Sequence, residues 1–200
     1  MKNIQNIFNR KKRGLAPSKV EGFTLIESLV AISILVAVIT GTTKAIQTGI
    51  SSYIFSKDQI IAFYLAQEGF EQIRNIRDEN SLNNRNWLTG LSAVSSDPCW
   101  FGPSPAQKAC RVAPADPVNG NVAIECGAPG SCPVLLQNVS SGFFGYGYND
   151  ISWKATVFKR EIMLTQINSD EISVSVTVNW SKGIVNRQFK LRENLLNWQQ

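Results

Sequence analysis

The 200-residue sequence contains no histidine, and this absence removes a large part of enzyme chemistry. Hydrolases of the triad type activate a nucleophile with an imidazole base, so no such triad can form here. No spacing typical of paired catalytic carboxylates occurs among the acidic residues Asp97, Asp116, Glu125 and Asp150. We therefore expect a protein that is not an enzyme and binds no cofactor.

Residues 23–200 carry no net charge. Residues 1–22 contain six basic residues and one acidic residue, and so account for the whole net charge of +5. A basic tail followed directly by an apolar stretch is typical of a membrane-targeted segment whose basic side stays in the cytoplasm. The basicity therefore predicts a leader at 1–22 and an exported remainder.

No proline occurs between Pro17 and Pro98. Between residues 23 and 39, Glu27 is the only charged residue. Nothing forces a break from Phe23 through Arg77, so we expect one continuous helix. The apolar run is near the lower length limit for a bilayer span, roughly 17 to 25 residues. This predicts a transmembrane half at 23–43 and an amphipathic half at 44–78.

The amphipathic half shows a helical periodicity. At 100° per residue, one stripe of apolar residues should pack on a C-terminal sheet, and it comprises Ile50, Ile54, Ile61, Leu65 and Ile76. Phe63 and Phe70 lie on the polar side of this helix. They either widen the contact with the core or form a ridge that docks on a neighbouring subunit.

Residues 79–150 contain seven of the eight prolines and all four cysteines, with many Gly, Ser and Asn residues. This composition indicates loops stapled by disulfides in an oxidising compartment. Local pairing would join Cys99 to Cys110 and Cys126 to Cys132, and the two other connectivities stay open. Zinc is the rival interpretation, but there is no CxxC pair and no histidine, so we expect no metal site.

Residues 151–200 are rich in β-forming residues. Ile172, Val174, Val176, Val178 and Trp180 alternate with small polar residues, which is the pattern of a half-buried strand. A hairpin turn at SKG precedes a return strand that brings Val185, Phe189 and Leu191 to one face, with Arg187 as an imperfection. The expected fold class is α+β: a long N-terminal membrane helix packed on a C-terminal antiparallel sheet, with the disulfide-stapled loops between them.

The stretch GFTLIE, Gly22 to Glu27, resembles the prepilin signature of type IV pilins and type II secretion pseudopilins. It combines a glycine, a carboxylate five residues later and an uninterrupted apolar run after a basic leader. The resemblance implies that prepilin peptidase cuts between Gly22 and Phe23 and methylates the new amine of Phe23. It also implies the pilin-like fold outlined above.

Assembly is the second implication of the resemblance. Family members leave the inner membrane and join a filament through their N-terminal helices, with the help of an inner-membrane assembly platform. Glu27 would lie one helical turn from the amine of Phe23 and could face the amine of an adjacent subunit, which sets the register. The ending LLNWQQ and the loop-rich middle favour a minor pilin.

Three alternatives accompany this interpretation. GFTLIE could be accidental in an ordinary signal peptide, with cleavage near Gly41 or Ala45. The filament could belong to a secretion machine or a DNA-uptake machine instead of a pilus. DNA is a candidate partner, although not the favoured one, because residues 151–200 contain four acidic and seven basic residues, the latter being Lys154, Lys159, Arg160, Lys182, Arg187, Lys190 and Arg192.

Overall fold

The computed structural model describes residues 22–102, 107–112, 123–138, 145–148 and 152–197. Residues 1–21 of the predicted leader at 1–22 and the acidic residues Asp116 and Asp150 lie outside these ranges. The elements are α1 (Leu25–Leu82), β1 (Ala109–Val112), β2 (Ala123–Gly127), β3 (Val134–Asn138), β4 (Gly145–Gly147), β5 (Lys154–Asn168), β6 (Glu171–Lys182) and β7 (Val185–Leu196). The chain divides into two compact units, residues 1–51 and 52–200, which are described separately.

In the first unit, α1 is apolar on all sides. Its large apolar side chains from Leu25 to Ile39 are about half exposed or more. The hydroxyls of Thr40, Thr42 and Thr43 each donate to a backbone carbonyl three or four residues earlier. Because these bonds satisfy the polar side chains within the helix, the segment meets the requirement of a lipid environment. The apolar helix that the sequence predicts is confirmed.

In the second unit, α1 packs on an antiparallel sheet, as expected for the α+β class. The buried face differs from the predicted stripe, of which only Leu65 is fully buried, while Ile61 and Ile76 pack at its margin. Ile50 belongs to the first unit and is exposed. The buried face instead consists mainly of small and polar residues, namely Ala62, Leu65, Ala66, Gly69, Phe70, Gln72, Ile73, Arg77 and Asn80. Small side chains let the backbone of the helix come close to the sheet, and a search for large apolar residues overlooks them.

The sheet is built around β5, which pairs with β6 from Phe158 to Asn168. β7 in turn pairs with β6 in a continuous antiparallel register. The other edge of β5 is shared, since β3 pairs near its start and β1 pairs at Ile162. β2 and β4 complete these two short hairpins. Residues 79–150 therefore contribute four strands to the sheet, more regular structure than their composition indicates.

Strand β6 supplies the centre of the core. Its helix-facing side chains are all buried, as the alternating pattern predicts: Ile172, Val174, Val176, Val178 and Trp180. On β7, Arg187 is no imperfection, because its guanidinium lies 4.1 Å from the ring centroid of Phe55. Leu195, near the end of β7, is also a core residue and is 2% exposed.

One charged residue, Arg160 on β5, lies in the centre of the core and is fully buried. Its Nη1 donates to the Leu65 carbonyl (3.0 Å) and to Glu68 Oε2 (2.9 Å). Its Nη2 donates to Gln72 Oε1 (3.3 Å) and to the Val112 carbonyl (2.7 Å). A buried charge is tolerated when it is paired and hydrogen-bonded, and these contacts join the helix, β5 and β1.

Two disulfides lie in the loop region, as the fold class predicts. They are the local pairs, Cys99–Cys110 and Cys126–Cys132. The first pair is part of the core and holds the loop before β1 against the sheet. The second closes a seven-residue ring between β2 and β3, and the Gly130 N–H in this ring donates to the Glu161 carboxylate.

Candidate processing and assembly site

The segment Gly22–Thr24 precedes the first helical residue, Leu25. The Phe23 side chain is 78% exposed, and a Cβ placed on Gly22 would meet no atom within 4 Å. A peptidase needs an accessible stretch of backbone outside regular secondary structure in order to bring catalytic groups to a peptide bond. The Gly22–Phe23 bond meets this requirement.

Thr24 caps the helix. The Glu27 N–H donates to Thr24 Oγ1 at 3.3 Å, and the Ser28 N–H donates to the Thr24 carbonyl at 3.1 Å. Thr24 and Glu27 thus occupy the first and last positions of a T-x-x-E capping box, in which a threonine satisfies an otherwise unbonded N–H of the first turn. The sequence interpretation missed this role of Thr24, although the spacing alone could have revealed it.

Glu27 lies in the first turn of α1. The partial positive charge at a helix N-terminus favours a carboxylate at this position. Among the residues that the structure describes, no basic side chain forms an ion pair with it. A charged side chain is costly in hydrocarbon, so a compensating group from outside the described chain would stabilise the Glu27 carboxylate.

The two phenylalanines proposed for assembly have different positions. Phe70 is 2% exposed and belongs to the core, so the prediction that it docks on a neighbouring subunit is wrong. Its ring covers a wider core contact, because the buried face of α1 extends further around the helix than the predicted stripe. Phe63 is 38% exposed and packs edge-on against Phe189 at 5.7 Å, so it lies at the border between core and solvent.

Three of the basic residues of the sheet already have partners within the chain. Arg160 is buried in the core, Arg187 lies over Phe55, and Lys182 Nζ is 3.7 Å from Asp58 Oδ2. These three cations are engaged within the chain, which weakens the case for DNA. No cluster of three metal-ligating side chains occurs within the described ranges.

Residues 17–43 match the family described as Prokaryotic N-terminal methylation motif. No curated protein and no solved structure matches the chain. The matched segment contains the Gly22–Phe23 bond, Glu27 and the start of the only helix in the described residues that is long and apolar enough to cross a membrane. The motif implies processing by prepilin peptidase and assembly with other pilins, and the helix is consistent with a single-pass membrane anchor. The methylation motif and the long N-terminal apolar helix together fit a type IV pilin-like protein, which points to a structural subunit and not to an enzyme.

Proposed function

We propose that this chain is a minor subunit of a type IV pilus or a closely related filament. Prepilin peptidase cleaves it between Gly22 and Phe23 and methylates the amine of Phe23. Before assembly the chain spans the inner membrane once, with its N-terminus in the cytoplasm and residues 44–200 exported. An inner-membrane assembly platform then transfers it to the filament.

The observation that carries this proposal is the match to the methylation motif over residues 17–43. Two structural features support it. The bond between Gly22 and Phe23 precedes the helix, and the apolar side chains that follow are exposed in the isolated chain. A helix that is apolar all round must be surrounded by lipid or by other apolar helices. A pilin-like subunit is surrounded by lipid before assembly and by the helices of its neighbours in the filament.

Glu27 has an assembly role in this proposal. Cleavage creates an amine at Phe23, and this amine and the Glu27 carboxylate are opposite charges in an apolar environment. When a subunit joins the filament, its Glu27 pairs with the amine of its neighbour, which offsets much of the cost of burying both charges. Because the pair forms at one axial offset between subunits, it sets their register.

The experiment that tests the proposal is substitution of the glycine at the cleavage site. Gly22→Val places a side chain where the peptidase must approach, so we expect a precursor that retains residues 1–22 in whole-cell mass spectrometry. Gly41→Val is the matched control, since Gly41 also has open space around it but lies within the helix. A mature chain beginning at Phe23 in the Gly22→Val variant would refute the site.

The minor role has its own measurement. The loop-rich region at 79–150, stapled by two disulfides, is ill-suited to uniform repetition along a filament. We therefore expect this chain at a low ratio to the main subunit in purified filaments, as measured by quantitative mass spectrometry. A ratio near one would identify it as the main subunit, and recovery only with a secretion machine would favour the pseudopilin alternative.

A further inference from the structure

The turn between β6 and β7 exposes an apolar tip. Ile184 is 100% exposed, and Val185 beside it is 46% exposed. Gly183 has a φ of 61°, a left-handed conformation that glycine adopts without strain and that allows this tight turn. Single exposed apolar residues are common, so exposure alone does not indicate a function. The position of the tip and the charges at the same end of the unit provide the argument.

The position of the tip follows from the contacts between α1 and β7. Strand β7 runs in the same direction as the helix, as shown by the pairs Phe55–Arg187, Phe63–Phe189, Arg74–Glu193 and Arg77–Leu196. The turn that precedes β7 therefore lies at the N-terminal end of the helical segment that belongs to the second unit. This is the end at which the chain arrives from the membrane segment.

The same end is basic. It carries Lys57 on the helix, Lys154 at the start of β5, and Lys182 and Arg187 beside the turn. The only acidic residue that contacts this group in the described chain is Asp58, through Lys182. The opposite turn, between β5 and β6, carries Asp170 and Glu171, and residues 162–181 contain no lysine or arginine. The two turns thus differ in charge.

We propose that the basic tip, defined as Ile184 and Val185 with Lys57, Lys154 and Lys182, rests on an anionic lipid surface before the subunit joins a filament. This inference rests on the proposed function, because the helix must first anchor the chain in a membrane. An exposed apolar tip at the same end as several lysines matches an interface of lipid headgroups, in which the apolar part enters the acyl boundary and the cations meet phosphates. Tethering by the helix raises the effective concentration of lipid near the tip, so weak contacts suffice.

The test uses the mature full-length chain in phosphatidylcholine vesicles, with or without phosphatidylglycerol. Both disulfides are formed, so an introduced Val185→Cys supplies the one thiol for an environment-sensitive fluorophore among the described residues. We expect lipids that carry a quencher near the headgroup to quench this fluorophore in the anionic vesicles. Ser169→Cys, labelled in the opposite turn, is the matched control and should not be quenched.

Second-site variants separate the apolar and the basic contributions. Ile184→Ser removes the apolar contact, and we expect roughly a tenfold lower ratio of lipid-bound to free tip. Lys57→Gln together with Lys154→Gln should lower this ratio by roughly fivefold for each lysine. These side chains are exposed and make no ion pair in the described part of the chain, so folding should be unchanged. Equal quenching in neutral and anionic vesicles, or in these variants, would overturn the proposal.

A label in the membrane segment separates this inference from the proposed function. Ala37→Cys should be quenched by lipids that carry the quencher in the acyl region. If this position is quenched and Val185→Cys is not, the lipid contact is wrong and the anchor stands. If neither position is quenched, both the contact and the membrane anchor are wrong. Quenching of the tip label that is lost on addition of other pilin subunits supports a contact that precedes assembly, whereas protection that appears only with those subunits would show a protein partner instead.

Discussion

The two parts of α1 are one continuous helix with opposite relations to their surroundings. In residues 25–51 the large apolar side chains are exposed, whereas in residues 52–82 the side chains that face the sheet are buried. The exposed part is rich in Leu, Ile and Val, whereas the buried face of the other part combines Leu65, Phe70 and Ile73 with six small or polar residues. Side-chain hydrophobicity alone therefore does not identify which helical face is buried in this chain.

The difference reflects two sources of stability. A helix that is apolar all round takes its stability from a nonpolar solvent, and no specific neighbour is needed. The part on the sheet depends on close approach and on complementary polar contacts, such as those of Arg160. Substitutions of one residue type in both parts should therefore have different consequences.

The largest difference should come from isoleucine. Ile73 is fully buried against the sheet, and Ile34 in the first unit is 59% exposed. Ile73→Ala should lower the free energy of unfolding of the second unit by about 2 to 5 kcal/mol, because it leaves a cavity in the core. Ile34→Ala should leave it unchanged. Denaturant unfolding in detergent, followed by near-ultraviolet circular dichroism, measures both, and equal effects would contradict the comparison.

Arg160 should show the next largest effect. Arg160→Met removes the contacts to the helix and to β1, leaving Glu68 without its cation. Because the Glu68 side chain is 36% exposed, water compensates part of this loss, and we expect a cost of about 2 kcal/mol. The same unfolding measurement applies, with Arg192→Met, an exposed arginine on β7, as the control. A stability equal to that of the native chain would show that the polar contacts only offset the cost of burial.

Glycine provides a smaller contrast. A Cβ on Gly69 would lie 3.0 Å from Arg160 Cδ and 3.2 Å from Val176 Cγ1, and the hydrogen bonds of Arg160 limit its adjustment. Gly69→Ala should therefore destabilise the second unit by about 1 kcal/mol despite its better helix propensity. Gly49 has nothing within 4 Å, so Gly49→Ala should cause no loss. Thermal unfolding of the two variants side by side decides the point, and a stabilised Gly69→Ala chain would mean that the core has room.

The smallest effect on stability should come from Glu27. Glu27→Gln lies outside the second unit, so the unfolding free energy of that unit should change by less than about 0.5 kcal/mol. Its effect should appear in assembly: the processed variant should accumulate in the inner membrane and be depleted from sheared filaments, because the amine of Phe23 loses its counter-charge. Glu68→Gln, in the other part of the helix, is the matched control. It should lower the unfolding free energy of the second unit, because Arg160 loses its counter-charge. Normal recovery of Glu27→Gln in filaments would remove its assembly role.

Much of this architecture could be predicted because it depends on local sequence patterns. The absence of proline and the uniform apolar run predict the helix, and the alternation from Ile172 to Trp180 predicts a strand with one buried face. The proposed processing site follows from a short linear motif, Gly22 to Glu27. Each of these features depends on residues that are close together in the sequence.

The features that were missed depend on residues that are distant in the sequence. The burial of Gly69 follows from Arg160, which comes 91 positions later, and no helical periodicity contains this information. The docking role of Phe70 failed for the same reason, because the sheet determines how much of the helix surface is covered. The strands β1 to β4 are short, and they form only because β5 offers an edge with which they can pair.

That shared edge of β5 also bears on how such proteins change over evolutionary time. β3 and β4 form one branch on the first part of β5, and β1 and β2 form another branch near Ile162. The Cys99–Cys110 disulfide ties β1 to the loop before it, and Cys126–Cys132 ties the end of β2 to the residues before β3, while α1, β5, β6 and β7 contain none of the four cysteines. The surface of such a subunit can therefore diversify in these two branches while its helix and its three long strands retain their geometry.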